Sequence, residues 1–457
     1  MTMKVSVTHV HAGVPVLGQE RTLESGSISF TTPALDLDAL VTDRGVPGPA
    51  FDLPVGEVIS FLEATGEALR ADKAGYLQAA LESLSQISAL SRRMLDNCYE
   101  RLSAAFARPS LEFQLSQQLP IGALDGWLPV RPPGLPTSFA RAFPARIVQI
   151  LAGNTPNVAA TSITRSALTK GVHLLKLPSN DPLTAPAILR TMADLALGHP
   201  VVASFSAAYW RGGDRAVEDV LFRAQYFDKL IAWGGESAIR NALSYAAPGF
   251  EIMTFDPKVS ISLIGREAFA SSSILKDVAA LGATDVSVIN QDACASAVFQ
   301  FVEGSIDEVD AYCELLAAEL AVDRPWSDGL ASPTPEDLRE SIRGLMGFEE
   351  LYRVFGDFDG HGLVIRSSDP VEFHPTGKVV NVVQVNELTD ALNWVTMATQ
   401  TVGMYPTQRK AALRDHLASR GAQRIVELGG AWNLPPGLSH DGFLPLQHMV
   451  RWVNDQG

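Results

Sequence analysis

Cysteine is scarce here, with Cys98, Cys294 and Cys313 the 3 thiols in 457 residues. Three cysteines cannot build a disulfide framework, and no Cys-x-x-Cys, His-Glu-x-x-His or His/Cys cluster offers metal spacing, so no metal is expected. Basic charge is also short: 36 Lys and Arg stand against 51 Asp and Glu, a net charge of −15. A nucleic-acid or anionic-membrane partner requires a basic surface, so neither is expected. No apolar run reaches the roughly 18 residues of a membrane span. The opening stretch MTMKVSVTHVHAG has no apolar centre of signal-peptide kind, and the cytoplasm is the expected location. Internal repeats are missing, and so is the G-x-G-x-x-G fingerprint of the common dinucleotide site.

What is present is a large apolar interior, 46% of the residues against 19% charged, enough for about two or three domains. Short β-like runs broken by Pro and Gly occupy residues 1–54. From Val55 to Phe106 apolar residues recur at three- and four-residue spacing (Leu81, Leu84, Ile87, Leu90), which predicts a helical layer. Pro109 to Pro144 reads as an extended crossing. Strand and helix then alternate: strands at Ile147–Ala152, Val172–Leu177, Val201–Phe205 and Leu230–Trp233, with helices at Val158–Lys170, Leu183–Leu197 and Ala216–Gln225. That alternation predicts a parallel, doubly wound α/β sheet with its ligand at the carboxyl ends of the strands. Further strands are expected at Glu251–Phe255, Val259–Ile264 and Val379–Val385, with helices at Ile306–Leu320 and Leu388–Ala398.

Two turns carry chemistry. In Ala232-Trp233-Gly234-Gly235-Glu236 a strand runs into two glycines and a helix start, which lets backbone N–H groups approach an anion; an ordinary tight turn is the other reading. In Val286–Val302 a β-branched run breaks into Asn290-Gln291-Asp292 and delivers Cys294 among small residues, as at the end of a strand. A thiolate there is a strong nucleophile, and turn N–H groups can stabilise it and an adjacent oxyanion; a buried inert cysteine is the alternative. Cys98 and Cys313 fall on periodic apolar faces of helical stretches and read as core.

Four motifs in order, Gly153-Asn154-Thr155-Pro156, Leu175-Lys176-Leu177-Pro178-Ser179, Ala232-Trp233-Gly234-Gly235-Glu236 and Asn290-Gln291-Asp292-Ala293-Cys294, resemble the aldehyde dehydrogenase superfamily. The likeness is to its acyl-CoA reductase branch, typified by the fatty acid reductase of bacterial luminescence, and it runs from about Ile147 to Val453. It implies an aldehyde-dehydrogenase-like α/β fold: an N-terminal region and doubly wound nucleotide-binding domain over 1–264, a second α/β catalytic domain over 265–445 and a tail over 446–457. By the same resemblance Cys294 is the nucleophile and Asn154 helps hold the oxyanion. Lys176 takes cofactor ribose hydroxyls, Gly234 and Gly235 face the pyrophosphate, and Ser179 stands where NAD-dependent members often carry a glutamate, which favours NADPH over NADH. Thr254 stands where oxidising members place their base glutamate, and threonine cannot activate water near neutral pH. Glu372 and His374 lie near the place of a second family glutamate, with no register that assigns either. The implied activity is NAD(P)H-dependent reduction of an acyl thioester to an aldehyde. The donor is acyl-CoA or an acyl group on a carrier or acyltransferase, and the assembly is a homo-oligomer. The alternatives are an aldehyde oxidiser or a silent scaffold of the same fold.

Overall fold

The computed structural model describes residues 3–456; Met1, Thr2 and Gly457, the outermost residues of the opening stretch and the expected tail, lie outside the described residues. The chain divides into two units, 1–256 with 435–457, and 257–434.

The first unit opens on β1 (Met3–Ser6), β2 (His9–His11), β3 (Val14–Val16), β4 (Arg21–Ser25) and β5 (Ile28–Thr32). The expected helical layer follows as α1 (Val55–Ala71), α2 (Tyr76–Leu84) and α3 (Arg92–Arg101). The extended crossing expected from Pro109 is corrected: Arg108–Gln118 is helix α4. Proline is tolerated in a first turn because the N–H it lacks would have no partner there. Extension begins only with β6 (Leu128–Val130) and β7 (Ser138–Pro144).

Next come β8 (Arg146–Ile150), α5 (Asn157–Leu168), β9 (Val172–Lys176), α6 (Thr184–Leu195), α7 (Pro200–Ala203), β10 (Phe205–Ala208), α8 (Arg215–Leu221), β11 (Lys229–Trp233), α9 (Glu236–Leu243) and β12 (Glu251–Phe255). The strand expected at Val201–Phe205 is mostly α7, because the His199 Nδ1 accepts the Val201 N–H at 3.2 Å and starts a helical turn. The main sheet has the order β12-β11-β8-β9-β10-β2-β3. β8 to β12 are parallel, and Val148, Leu174, Leu230 and Ala232 bury one face under Val217, Leu221 and Ile239. From β8 the chain winds outward through β9 and β10, then returns to β11 on the other side of β8. That reversal makes β8 and β11 the topological switch point, beyond whose carboxyl ends a doubly wound sheet binds its ligand.

The second unit contains β13 (Val259–Ile264), α10 (Ser272–Val286), β14 (Ala297–Glu303), α11 (Ile306–Leu320), α12 (Glu336–Leu345), β15 (Arg353–Asp357), β16 (Gly362–Ser367), β17 (Val379–Val385), β18 (Thr399–Tyr405), α13 (Lys410–Arg420) and β19 (Arg424–Glu427). Its sheet order is β15-β16-β17-β14-β13-β18-β19, with β15 antiparallel to β16 and the other pairs parallel. One face packs against α10 and α11 through Val278, Val286, Val309 and Leu316, and the other buries Leu263, Val383, Val402 and Leu417. The helix expected at Leu388–Ala398 is a 3₁₀ turn over Leu388–Trp394.

The unit boundary falls at 256/257 and not at 264, because β13 hydrogen-bonds to β14 and β18 and so belongs to the second sheet. The expected tail is also corrected. Residues from 435 onward return to the first unit, where α14 (Pro445–His448) leads into β20 (Val450–Gln456), paired antiparallel with β7 from Val450↔Pro144 to Gln456↔Ser138. Among the described residues no helix is long and apolar enough to cross a membrane.

Candidate active site

The run Val286 to Ile289 is not a strand. Val286 closes α10, and Ile289, Asn290 and Gln291 then take φ of 51°, 52° and 71°. Three consecutive non-glycine residues in the left-handed region are costly, most of all for β-branched Ile289. Such strain persists only where the surroundings over-determine it. The Ile289 N–H donates to the Trp326 carbonyl at 2.8 Å. Asn290 Oδ1 accepts from the Asp328 N–H at 2.9 Å and the Ser327 hydroxyl at 3.2 Å. Gln291 Nε2 donates to the Val379 carbonyl at 2.7 Å, and Ser296 Oγ to the Val288 carbonyl at 2.8 Å. Behind them the fully buried Lys378 Nζ donates to the carbonyls of Asp328 and Gly329 at 2.8 and 2.9 Å.

This turn ends at Cys294, three residues before β14. The thiol therefore lies at the amino edge of the second sheet, which corrects its expected place at the end of a strand. The Ser260 hydroxyl donates to the Cys294 carbonyl at 2.7 Å and accepts the Thr401 N–H at 3.1 Å, at a point where β13 changes register against both neighbours. Irregular pairing of this kind re-aims side chains beside active sites. Cys294 is exposed, and Gln400 Nε2 donates to its Sγ at 3.0 Å. Cys98 and Cys313 are buried; burial pushes the first thiol up to about 11, against a hydrogen bond shared with Thr155, and the second well above its ordinary value. Thiolate is the reactive form, so of the three only Cys294 is placed to react.

In the first unit, Asn154 lies in the turn between β8 and α5, and Lys176 ends the adjacent β9. The two loops are packed together: a Cβ on Gly153 would meet the Asp181 backbone nitrogen at 2.8 Å as well as Asn180 Oδ1 at 2.2 Å, so this turn requires glycine. Beneath them the buried Asp181 accepts from the Thr184 N–H at 3.0 Å and its hydroxyl at 2.9 Å, and burial raises its carboxyl to about 6. Lys176 is 7% exposed. Burial lowers its ammonium to about 8, opposed by Glu218, which itself accepts from Asn241 Nδ2 at 2.8 Å, the Gly213 N–H at 3.0 Å and Trp210 Nε1 at 3.3 Å. Ser179 Oγ lies 3.0 Å from the Tyr209 hydroxyl. Gly234 and Gly235 join β11 to α9 without a side-chain cap, and a Cβ on Gly235 would meet open space. The first N–H groups of α9 are thus available to an anion.

Residues 50–452 match the sequence model of the family described as acyl-CoA reductase (LuxC). The chain belongs to that family. The match begins well before Ile147, so the helical layer of the first unit is part of the family's extent. The chain is 27% identical over 421 residues to the long-chain acyl-protein thioester reductase of Vibrio harveyi, covering 89% of this chain and 83% of that one. Two solved structures are similar in fold: an NADP-dependent glyceraldehyde-3-phosphate dehydrogenase from Bacillus halodurans C-125 complexed with NADP (TM-score 0.70, 15% identity, 98% of each chain), and an NAD+ complex of an aldehyde dehydrogenase from Bacillus cereus (TM-score 0.71, 13% identity, 98% of this chain and 96% of that one). The architecture is therefore the two-unit aldehyde dehydrogenase fold expected.

For this LuxC-family chain, Asn154, Lys176, Ser179, Gly234 and Gly235 belong to the first unit and Cys294 to the second. Thr254, fourth of five residues in β12, pairs with Ala232 and is a neutral hydroxyl at the carboxyl end of its strand. Glu372 and His374 are exposed in the segment before β17. Sequence reasoning missed Gln400 and Arg424, because each lies at the start of a strand of ordinary β pattern and nothing in that pattern marks a link to a thiol. It also missed Tyr209 and Arg211, whose guanidinium offsets part of the rise that burial imposes on the Tyr209 phenol.

Proposed function

We propose that this protein reduces a long-chain acyl thioester to the aldehyde through a thioester on Cys294. The observation that carries this reading is an exposed thiol with an amide N–H on its sulfur at 3.0 Å, at the end of a strained turn that fixes its direction. The Cys294 thiolate attacks the acyl carbonyl, the carrier thiolate leaves and takes a proton, and the acyl group remains on sulfur. Asn154 supplies an amide donor for the oxyanion, which a preorganised donor stabilises more than water does.

The first unit fits a nicotinamide dinucleotide. Lys176 is a buried ammonium at a strand end, and the cap-free start of α9 beside two glycines suits a pyrophosphate. Bound there in reduced form, the cofactor supplies the hydride that releases the acyl group from Cys294 as aldehyde. Ser179, Tyr209 and Arg211 present two hydroxyls and a cation with no carboxylate among them, which supports NADPH being accepted at least as well as NADH. Ser179→Glu is expected to lower NADPH use relative to NADH; an unchanged ratio in cofactor-oxidation kinetics removes Ser179 from that role. Thr254 favours reduction over the reverse oxidation, since no carboxylate stands at its position to activate water. Cytoplasmic location, where a free thiol stays reduced, and homo-oligomeric assembly complete the reading.

The test mixes the protein with a long-chain acyl-CoA, or acyl-carrier protein, and reduced cofactor. Cofactor oxidation, aldehyde formation and an acyl adduct mapped to Cys294 are expected. Aldehyde oxidation without thioester reduction would favour the oxidiser, and no turnover with any acyl donor the scaffold.

A further inference from the structure

Gln400 and Thr401, second and third residues of β18, are 4% and 1% exposed, so their polar groups must find partners inside the protein. Those partners form a chain. Arg424 Nη1 donates to Thr401 Oγ1 at 3.2 Å, the Thr401 hydroxyl donates to Gln400 Oε1 at 3.5 Å, and Gln400 Nε2 donates to Cys294 Sγ at 3.0 Å. Every donor in the series points toward the sulfur. The amide can therefore offer the sulfur only its N–H end, and each bond polarises the next.

Arg424 itself is fixed. Its Nη1 also donates to the Ala431 carbonyl at 2.7 Å, and its Nη2 donates to the carbonyls of Gly430 at 3.0 Å and Asn433 at 2.7 Å. None of these acceptors is a carboxylate. Asp285 faces this guanidinium as a charge but spends its oxygens on the Gly429 and Ala431 N–H groups, at 3.0 and 2.9 Å. Burial disfavours the charged guanidinium, while Asp285 and the Cys294 sulfur both favour it. Asp292, two residues before Cys294, is a carboxyl whose pKa burial raises. A donor on the sulfur, backed by a fixed cation, favours the thiolate over the thiol.

We propose that Gln400 is a catalytic residue that holds Cys294 as thiolate through its amide N–H, and that Arg424 is the positioning residue that orients it through the Thr401 hydroxyl. The inference rests on Cys294 being the nucleophile, as proposed above. The same N–H is placed to stay on the sulfur as the acyl group leaves it, where negative charge returns.

Alkylation of Cys294 by iodoacetamide, followed by mass mapping across a pH series, reports thiolate directly and needs neither acyl donor nor cofactor. Gln400→Met keeps the volume and removes the donor. It is expected to slow alkylation about 10-fold near pH 7 and to raise the midpoint by about one unit, the scale of a hydrogen bond to a charged group. Thr401→Val is expected to move the midpoint less in the same direction, and Thr401→Ser to restore it. A Gln400→Met midpoint equal to wild type overturns the proposal, as does slowing by the same factor at every pH, which would mark a purely structural role. If Gln400→Met does not fold, the Thr401→Val midpoint decides, and an unmoved value overturns the relay. Shifted alkylation in a protein without reductase activity would sink the functional reading alone; reductase activity with unshifted alkylation would sink this one alone.

Discussion

At the carboxyl edge of the first sheet the backbone is regular and the functional groups are few: a lysine at the end of β9, a capless helix start after β11, a hydroxyl pair at Ser179 and Tyr209. At the amino edge of the second sheet the backbone is forced through three left-handed residues, and hydrogen-bonding groups of β13, β17, β18 and the 326–329 segment, backbone and side chain, hold it there. In the proposed reading the contrast follows from what each edge would handle. A dinucleotide phosphate is recognised by backbone dipoles that any strand-to-helix turn can present. A nucleophile needs its one reactive atom aimed, and with Cys294 in that proposed role the local strain serves to fix its direction.

The sharpest break in this comparison is removal of the aimed atom. Cys294→Ser is expected to abolish aldehyde formation and the acyl adduct, while Cys98→Ser and Cys313→Ser retain turnover, because the latter thiols are buried with raised pKa values. An acyl adduct on Cys294→Ser that matches wild type would refute the assignment. Next in size is Thr254→Glu. A general base contributes about 100- to 10,000-fold, so the wild type should accumulate acyl-enzyme when no cofactor is added, and the glutamate should speed its hydrolysis by that order if its carboxylate reaches the attacking water. Rapid hydrolysis by the wild type would mean that another base is present.

A smaller effect tests the cofactor edge. Lys176 is held down at about 8 by burial, so it is charged at neutral pH and loses its proton as pH rises through that value. The KM for the dinucleotide should climb above about pH 8, and Lys176→Met should raise it about 10-fold at pH 7 and remove the pH dependence, on the scale of a charge-assisted hydrogen bond. The stability sign is the reverse. The folded pKa is below the unfolded one, so the buried charge costs stability at low pH and that cost is relieved as pH rises from about 8 toward 10.5. A KM that is flat across this range would remove Lys176 from cofactor binding.

The smallest expected effect concerns the strained turn. Asn290→Ala takes an acceptor from the Asp328 N–H and the Ser327 hydroxyl and leaves a Cβ residue at φ 52°, so a loss of about 2–3 kcal/mol is expected in urea unfolding. Asn290→Gly should lose about 1 kcal/mol less, because glycine tolerates that φ. Equal losses would show that the left-handed turn stores no strain.

The order of elements from β8 to β12, the glycine turns and the candidate residues at their ends were legible in the sequence because they depend on local periodicity and turn chemistry. That is also why Cys98 and Cys313 could be placed in helix cores from spacing alone. Two of the errors share a cause. Val286–Ile289 is β-branched and apolar, Val201–Phe205 likewise, and each reads as a strand; one is the end of α10 and a left-handed turn, the other begins with the short helix α7. Hydrogen bonds to residues far along the chain, such as Ile289 to Trp326 and Gln291 to Val379, override propensity in the first case. The same distance hides Gln400 and Arg424, 106 residues and more after the thiol in sequence yet joined to it by the hydrogen-bond chain. Local composition determined which residues could do chemistry; the pairing of β13, β14, β18 and β19, which no local pattern encodes, decided which of them meet at the sulfur.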